Sequence, residues 1–598
     1  MFSNYTPNHN SVLDPPWTFV QLSQRDVSLQ IPINYLTHPG ISISTACFGH
    51  KVYAEDAAEQ CISNLIAAGY RRLVADLYWS AERRRWTFCP VNIPVQSAHT
   101  KTSRSEIPPS DDIPSPGLSG THIVERADNN SDDGGPALQQ LGPYSCEESL
   151  DLSTLVGILL DYFQETEDTL SAHLVYLLFN LHATKTSGSD DHPQAVTGTN
   201  LPGPNDLIGH HFSQTVRNFM YTPPELDDER SNLNKSWFSV AREDRPIAEY
   251  FTMKGSPGQI KTTPDGWPCE KYVEIIRGKR LLLGWGAADP QMSSYNFSGD
   301  DNIVFKEGAL AHSITFDTPF TSGGDGTEES GCLFNPNTTN VFDINGSWAV
   351  SDLYIDNSTL ELAAVSDEMA GCGISPLINA TLYNVTADVD VNPYLNFSLS
   401  TAWSWADGEP HNSSNPGGSG SGTPFRCALM DLSQVGHWRA ADCSSEFYAA
   451  CRVRNNPYQW TLSSERVSYP SAPESCPDNS SFSVPRTGLE NTYLFIHLLT
   501  QPNDTLDASS DDESRRNVWI DFNSLDVPTC WVTHGPDAQC PYEAEGGFRR
   551  RTVLVPIIAA IIVLIITALT LFVKCNANRR NSRRTRVIEG WEYEGVPS

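Results

Sequence analysis

Two polar residues in this chain stand where apolar strands leave little room for them. Asp76 interrupts the run Arg72-Leu73-Val74-Ala75-Asp76-Leu77-Tyr78-Trp79. A buried carboxylate without a partner is expensive, so Asp76 must be paired, either for structure or for catalysis. His182 comes just after the apolar run His173–Leu181, two residues past Asn180. Imidazole is a ready general acid or base, and the C-terminal end of a parallel barrel strand is where such groups act. A third apolar run, Arg280–Trp285, is followed by Gly286 and the acidic Asp289. Further on, Trp405-Ala406-Asp407-Gly408-Glu409-Pro410 reads either as a turn between strands or as a ligand or calcium loop.

The elements that would position these groups are strands alternating with helices. Val27, Leu29, Ile31 and Ile33 alternate as in a strand, and Tyr53–Ala68 has helical spacing with Gly69 as its C-cap. With the strand 72–79 they make a βαβ unit. Ser149–Gln164 reads as an amphipathic helix, 173–181 as a strand, Trp267–Arg277 as a short helix and 280–285 as a strand. The repeated unit predicts a TIM-barrel-like α/β domain over 23–325, although fewer than eight strands are legible. Residues 97–140 and 184–206, rich in small polar residues, read as mobile insertions. Residues 321–331 read as a linker. After it, 335–455 is expected to be a small second domain of short strands. Residues 456–552, with a strand-like TYLFIHLL at 492–499, are either a third module or a membrane-proximal stalk.

Val553–Val573 contains no charged residue and is long enough to cross a bilayer as a helix. Arg549, Arg550 and Arg551 precede it, and Lys574 with five arginines follows, so the tail 574–598 is expected to be cytoplasmic. The rest would then be luminal or extracellular, in a single-pass type I membrane protein. Thirteen sequons all precede the span, at Asn4, Asn129, Asn234, Asn296, Asn337, Asn345, Asn357, Asn379, Asn384, Asn396, Asn412, Asn479 and Asn503. So do thirteen of the 14 cysteines, an odd number that leaves at least one unpaired. Residues 1–22 have no basic stretch followed by an apolar one, so a signal that translocation requires is expected to be missing from this start. The net charge of −32 argues against a nucleic-acid partner and leaves the membrane as the evident one.

Several long phrases carry a resemblance. DVSLQIPINYLTHPGISISTACFGH, AEDAAEQCISNLIAAGYRRLVADLYW, LLFNLHA, WPCEKYVEIIRGKRLLLGWG and CGISPLINATL resemble the fungal family called maintenance of telomere capping protein 6. That resemblance implies a glycosylated ectodomain with one C-terminal span, and a role at telomeres that is indirect. The first domain is also similar to the phospholipase C-like phosphodiesterase barrel. This likeness implies catalytic roles for His38, as the first histidine, for Asp76, as a barrel acid, and for His182, as the second histidine. Two imidazoles would serve as base and acid, and the aspartate would orient one of them or hold a divalent cation, calcium or magnesium.

The second domain resembles a C-type lectin-like α+β module through Glu409-Pro410 and through Trp438 to Asp442. This resemblance implies a ligand loop of Glu409, Trp438 and Asp442, a Cys427–Cys443 disulfide, and Cys451 paired with an upstream cysteine, Cys372 being a candidate. His411 and Arg439-Ala440-Ala441 stand where the family has oxygen ligands, which argues against calcium-dependent sugar binding. Two functions follow as expectations. One is a binding scaffold for a lipid headgroup, glycan or protein. The other is a membrane-tethered phosphodiesterase acting on inositol phospholipid, glycerophosphodiester or anchor glycan.

Overall fold

The computed structural model describes residues 3–14, 17–94, 138–185, 193–256, 258–316, 331–353, 362–411 and 425–542, together with 558, 560–575, 587–588 and 591–592. Its organising feature is a curled parallel sheet. Eight strands run in the order β6-β7-β8-β1-β2-β3-β4-β5, every pair parallel. They are β1 (Gly40–Ser42), β2 (Arg72–Ser80), β3 (Val175–Ala183), β4 (Leu281–Ala288), β5 (Val304–Phe305), β6 (His312–Ser313), β7 (Ala349–Leu353) and β8 (Ser375–Ile378). Around the ring each strand follows its predecessor in sequence. Among the described residues no ladder joins β5 to β6, so the barrel is open along one seam.

The longest strands form because both their faces are covered. Leu73, Ala75 and Leu77 of β2 are fully buried, while Val74, Asp76 and Tyr78 between them are only half-buried. Successive side chains point to opposite faces, so the first set packs outward and the second faces the barrel interior. Leu177, Phe179 and Leu181 of β3 repeat the outward set, and Leu178, Asn180 and His182 the inward one. Outside lie the helices Glu55–Ala67 and Leu152–Glu165. Their Cys61, Leu65, Leu155 and Leu159 join the outward strand residues in one core. Gly69, at φ +100°, ends the first of these helices in the left-handed conformation that glycine adopts without strain.

The barrel extends beyond its expected limit. β7 and β8 fall within 335–455, the stretch read as a separate domain, and complete the sheet instead. Short strands separated by dense sequons disguised them as another fold. The second sheet consists of Cys427–Asp431, Trp438–Ala441, Tyr448–Val453, Trp460–Leu462, Ser480–Phe482 and Asn517–Asn523. Asn517–Asn523 lies between Cys427–Asp431 and Tyr448–Val453, so 456–542 completes this sheet and 455 is no boundary.

The strand expected around Val27–Ile33 is instead the end of a helix, Trp17–Ser28, followed by a short turn at Ile33–Tyr35. That helix joins the two halves. Its Val20 and Val27 share a core with Trp405, Trp438 and Ile520 of the second half, and Ser23 Oγ accepts from Trp405 Nε1 at 2.8 Å. The stretch 492–499 is helical, within Gly488–Leu499.

Six disulfides link Cys47–Cys61, Cys89–Cys146, Cys332–Cys372, Cys427–Cys443, Cys451–Cys476 and Cys530–Cys540. The Cys427–Cys443 pairing is as expected. Cys451 pairs with Cys476 and not with Cys372, because β8 carries Cys372 into the barrel half, beside Cys332. Cys269 is the unpaired cysteine that the odd count required.

The insertion 97–140 lies mostly outside the described residues, as do 186–192, most of the linker and the start of the expected span. Residues 193–206 of the second insertion pack onto the barrel: Trp79 Nε1 donates to the Asn200 carbonyl at 2.7 Å and Trp86 Nε1 to that of Asp206 at 2.8 Å. Residues 560–575 are helical, with large apolar side chains such as Leu564 and Phe572 exposed. Among the described residues no helix is long and apolar enough to cross a membrane.

Candidate functional site

Pairing between β2 and β3 sets Asp76 opposite Asn180 and Tyr78 opposite His182. All four residues lie on the inward face, near the C-terminal ends of their strands. Asn180 Nδ2 donates to Asp76 Oδ1 at 2.7 Å, and Asn180 Oδ1 accepts from the Ala287 N–H on β4 at 2.8 Å. One amide therefore ties three strands together and fixes the carboxylate. The partner that Asp76 needed is thus a neighbouring strand's side chain.

His182 Nδ1 meets Asp289 Oδ2 at 2.8 Å, just beyond the end of β4. Its ring stacks on Tyr78, with centroids 4.8 Å apart. Nε2 has no hydrogen-bond partner among the described residues and lies 3.6 Å from Asp76 Oδ1. Burial alone would lower the pKa of His182, but the two carboxylates outweigh it and the net shift is upward. Burial likewise raises that of Asp76, and His182, Ser44 and Asn180 pull it below its ordinary value. The arrangement is a carboxylate–imidazole–carboxylate relay with the imidazole's second nitrogen turned toward Asp76.

Two cavities flank this pair, Asp76 lining one and His182 the other. The inner one, about 440 Å³, lies inside the barrel and takes residues from the whole ring, including Asp76, Asn180, Asp352 and Asn379. An outer one of about 580 Å³ is lined by His182, Asp289, Tyr78, Lys51 and Lys185. Polar groups thus converge on a concave site at the strands' C-terminal ends, where barrels place their chemistry. The chemistry available is hydrogen bonding to hydroxyl groups and proton exchange with them. Among the described residues no group of three or more His, Cys, Asp or Glu is placed to hold a metal ion.

His38 does not join this site. It precedes β1, and the pairing of Gly40 with Arg72 sets it about six residue levels from Asp76, roughly 20 Å along the strands. It lies at the opposite end of the barrel, with Nε2 3.9 Å from Glu270 Oε1. Burial, with Arg72 and Arg71 nearby, pushes its pKa down to about 3, so the ring is neutral.

The lectin-like loop is also closed on itself. Glu409 is buried; its Oε2 accepts from His411 N–H at 2.7 Å, and its Oε1 lies 2.8 Å from His411 Nδ1. Trp438 is a fully buried core residue whose Nε1 donates to Asn491 at 2.9 Å. Asp442 caps a turn by accepting from Ser444 N–H at 2.9 Å.

The chain matches the family described as the MTC6 partial TIM-barrel domain over residues 16–401. It belongs to that family. The matched range agrees with a barrel that includes β7 and β8, and the open seam agrees with a partial one. Its relatives include proteins named maintenance of telomere capping protein 6. That of Debaryomyces hansenii is 25% identical over 650 residues, covering 98% of this chain and 95% of the relative. That of Meyerozyma guilliermondii is 24% identical, covering 96% and 94%. That of Saccharomyces cerevisiae S288c is 26% identical over 472 residues, covering 76% and 77%. No solved structure matches the chain.

Within the MTC6 barrel, the sequence points to Asp76 and His182 as chemical groups but not to Asn180, Asp352 or Arg72, and to Asn379 only as a sequon. The inward alternation of β2 and β3 was the available signal: it puts Asn180 on the face of His182 and Arg72 on the face of Asp76. Asp289 was noted only as an acid beyond a strand.

Proposed function

We propose that this MTC6-family chain is a single-pass membrane glycoprotein whose barrel mouth binds a polyhydroxylated ligand on the non-cytosolic side. The observation that carries the reading is the convergence of Asp76, Asn180, His182 and Asp289 between the two cavities. Fixed carboxylates, amides and an imidazole with an unfilled nitrogen are the donors and acceptors that hydroxyl groups satisfy. The exposed apolar helix at 560–575 supports the anchor, and the exposure of eight sequon asparagines outside the inner cavity, Asn234 and Asn503 among them, supports glycosylation. The relatives' name refers to telomere capping. A role there is proposed as indirect, since a chain on the far side of a membrane does not reach chromosome ends.

The phosphodiesterase reading is the weaker one. It requires two imidazoles across a single phosphate, and His38 lies at the other end of the barrel from His182. The lectin-like reading of the second half is supported by the Cys427–Cys443 bridge, but a glycan contact there has to bypass Glu409, whose oxygens are occupied.

The test is calorimetric titration of the full-length protein in detergent with neutral sugars, sugar acids and sugar phosphates. At least one should bind saturably and lose at least tenfold in affinity in Asp76→Asn and in His182→Gln. Binding equal to wild type in both variants would place the ligand elsewhere.

A further inference from the structure

Arg72 lies four residues before Asp76 on the inward face of β2 and lines the inner cavity. It is 4% exposed. The Tyr176 and Trp348 rings flank its guanidinium, each centroid about 5.1 Å from Cζ. Nη1 donates to the Leu310 carbonyl at 2.9 Å. The remaining edge, Nε and Nη2, has no hydrogen-bond partner among the described residues; nor do the Tyr176 hydroxyl and Trp348 Nε1 beside it. Burial lowers the pKa of Arg72 to about 10, which leaves it a cation at neutral pH.

A buried cation with no opposing charge is costly, and burying its donors unpaired adds to the cost. The Nε–Nη2 edge presents two parallel N–H groups, the fork that matches a carboxylate or phosphate. Aromatic rings hold that fork rigid by stacking on it. Water can fill such donors but does not neutralise the charge.

We propose that the inner end of the MTC6 cavity is an oxyanion subsite, in which the Nε–Nη2 edge of Arg72 takes a carboxylate or phosphate group of the ligand. This rests on the reading that Asp76 and His182 contact the ligand's hydroxyls. Four residues along β2 separate the levels of the two subsites by roughly 13 Å. The ligand class is then an anionic sugar, with its charged group innermost and its hydroxyls at the pair. Asp76, Asp352 and Glu307 line the same cavity, so an anion without a hydroxylated body is disfavoured.

Tryptophan fluorescence of the full-length protein reads the site, because Trp348 lies against Arg72. The titrants are glucose 6-phosphate, glucuronate and glucose, with inorganic phosphate and acetate as minimal probes. The expected result is saturable binding of the phosphorylated or the carboxylated probes, the better arm telling phosphate from carboxylate. Glucose should bind at least tenfold more weakly. Arg72→Lys keeps the charge but not the fork, and should weaken the anionic probe at least tenfold while leaving glucose unchanged; Arg72→Met should do the same if Lys perturbs folding. Glucose binding as tightly as both anionic sugars, or no saturation by any anion, would overturn the subsite. If Asp76→Asn leaves anionic binding intact while Arg72→Lys removes it, the subsite stands and the reading of the mouth falls.

Discussion

Asn180 holds Asp76 from the neighbouring strand, donating at 2.7 Å through Nδ2 while its own Oδ1 accepts the Ala287 N–H at 2.8 Å. This makes the site depend on the close approach of β4. A Cβ on Gly286 would lie 2.3 Å from Asn180 Oδ1. Gly286→Ala must therefore displace the amide. We expect about tenfold weaker ligand binding, ~1.4 kcal/mol, with the fold retained. Titration with the ligand found for the wild type, beside circular dichroism, checks this.

The relay makes stability depend on pH in a definite direction. His182 has a folded pKa above its ordinary 6.5, so its contribution is complete below that value and is lost as pH rises through the folded pKa. Asp76 has a folded pKa below its ordinary 3.8, so its contribution is present above that value and is lost on further acidification. Both are present together between about pH 4 and 6.5. Urea denaturation across pH should show the alkaline loss in the wild type and a flatter alkaline limb in His182→Gln.

His38 should behave as a packing residue. It is neutral and half-buried against Tyr176, with ring centroids 5.8 Å apart. His38→Ala is expected to cost about 1–3 kcal/mol of stability and to leave ligand affinity unchanged. Thermal denaturation combined with calorimetry separates the two effects.

Disulfide mapping by mass spectrometry of the non-reduced protein should find Cys332 joined to Cys372 and Cys451 to Cys476. Cys269 is buried, and burial pushes its thiol pKa up to about 12. It should resist alkylation until the protein unfolds.

Glycosidase treatment should increase gel mobility, and protease added to sealed vesicles should leave the bulk of the chain intact. An unshifted band with full digestion would invert the proposed topology.

Sequence pattern revealed the parts whose information is local. The strands β2, β3 and β4 and the helices Glu55–Ala67 and Leu152–Glu165 are long and periodic enough to be read directly. β5 and β6 have two residues each and exist only by pairing, so no window reveals them. The alternation of Val27, Leu29, Ile31 and Ile33 straddles a helix end and a turn, and so imitated a strand. TYLFIHLL is an apolar run that fits either a strand or a buried helix. Thr487, whose Oγ accepts from the Glu490 N–H at 3.1 Å, was the overlooked cap. In the site, the need of Asp76 for a partner was legible. Which residue answers it depends on strand register between β2 and β3, which no single segment encodes.

The decisive measurement of whether the ligand sits at Asp76 compares ligand affinity in wild type, Asp76→Asn and His38→Ala, using the full-length chain and the tightest sugar from the panel. Affinity should fall at least tenfold in Asp76→Asn and stay at the wild-type value in His38→Ala. Equal affinity in Asp76→Asn, or a loss confined to His38→Ala, would contradict a ligand at Asp76.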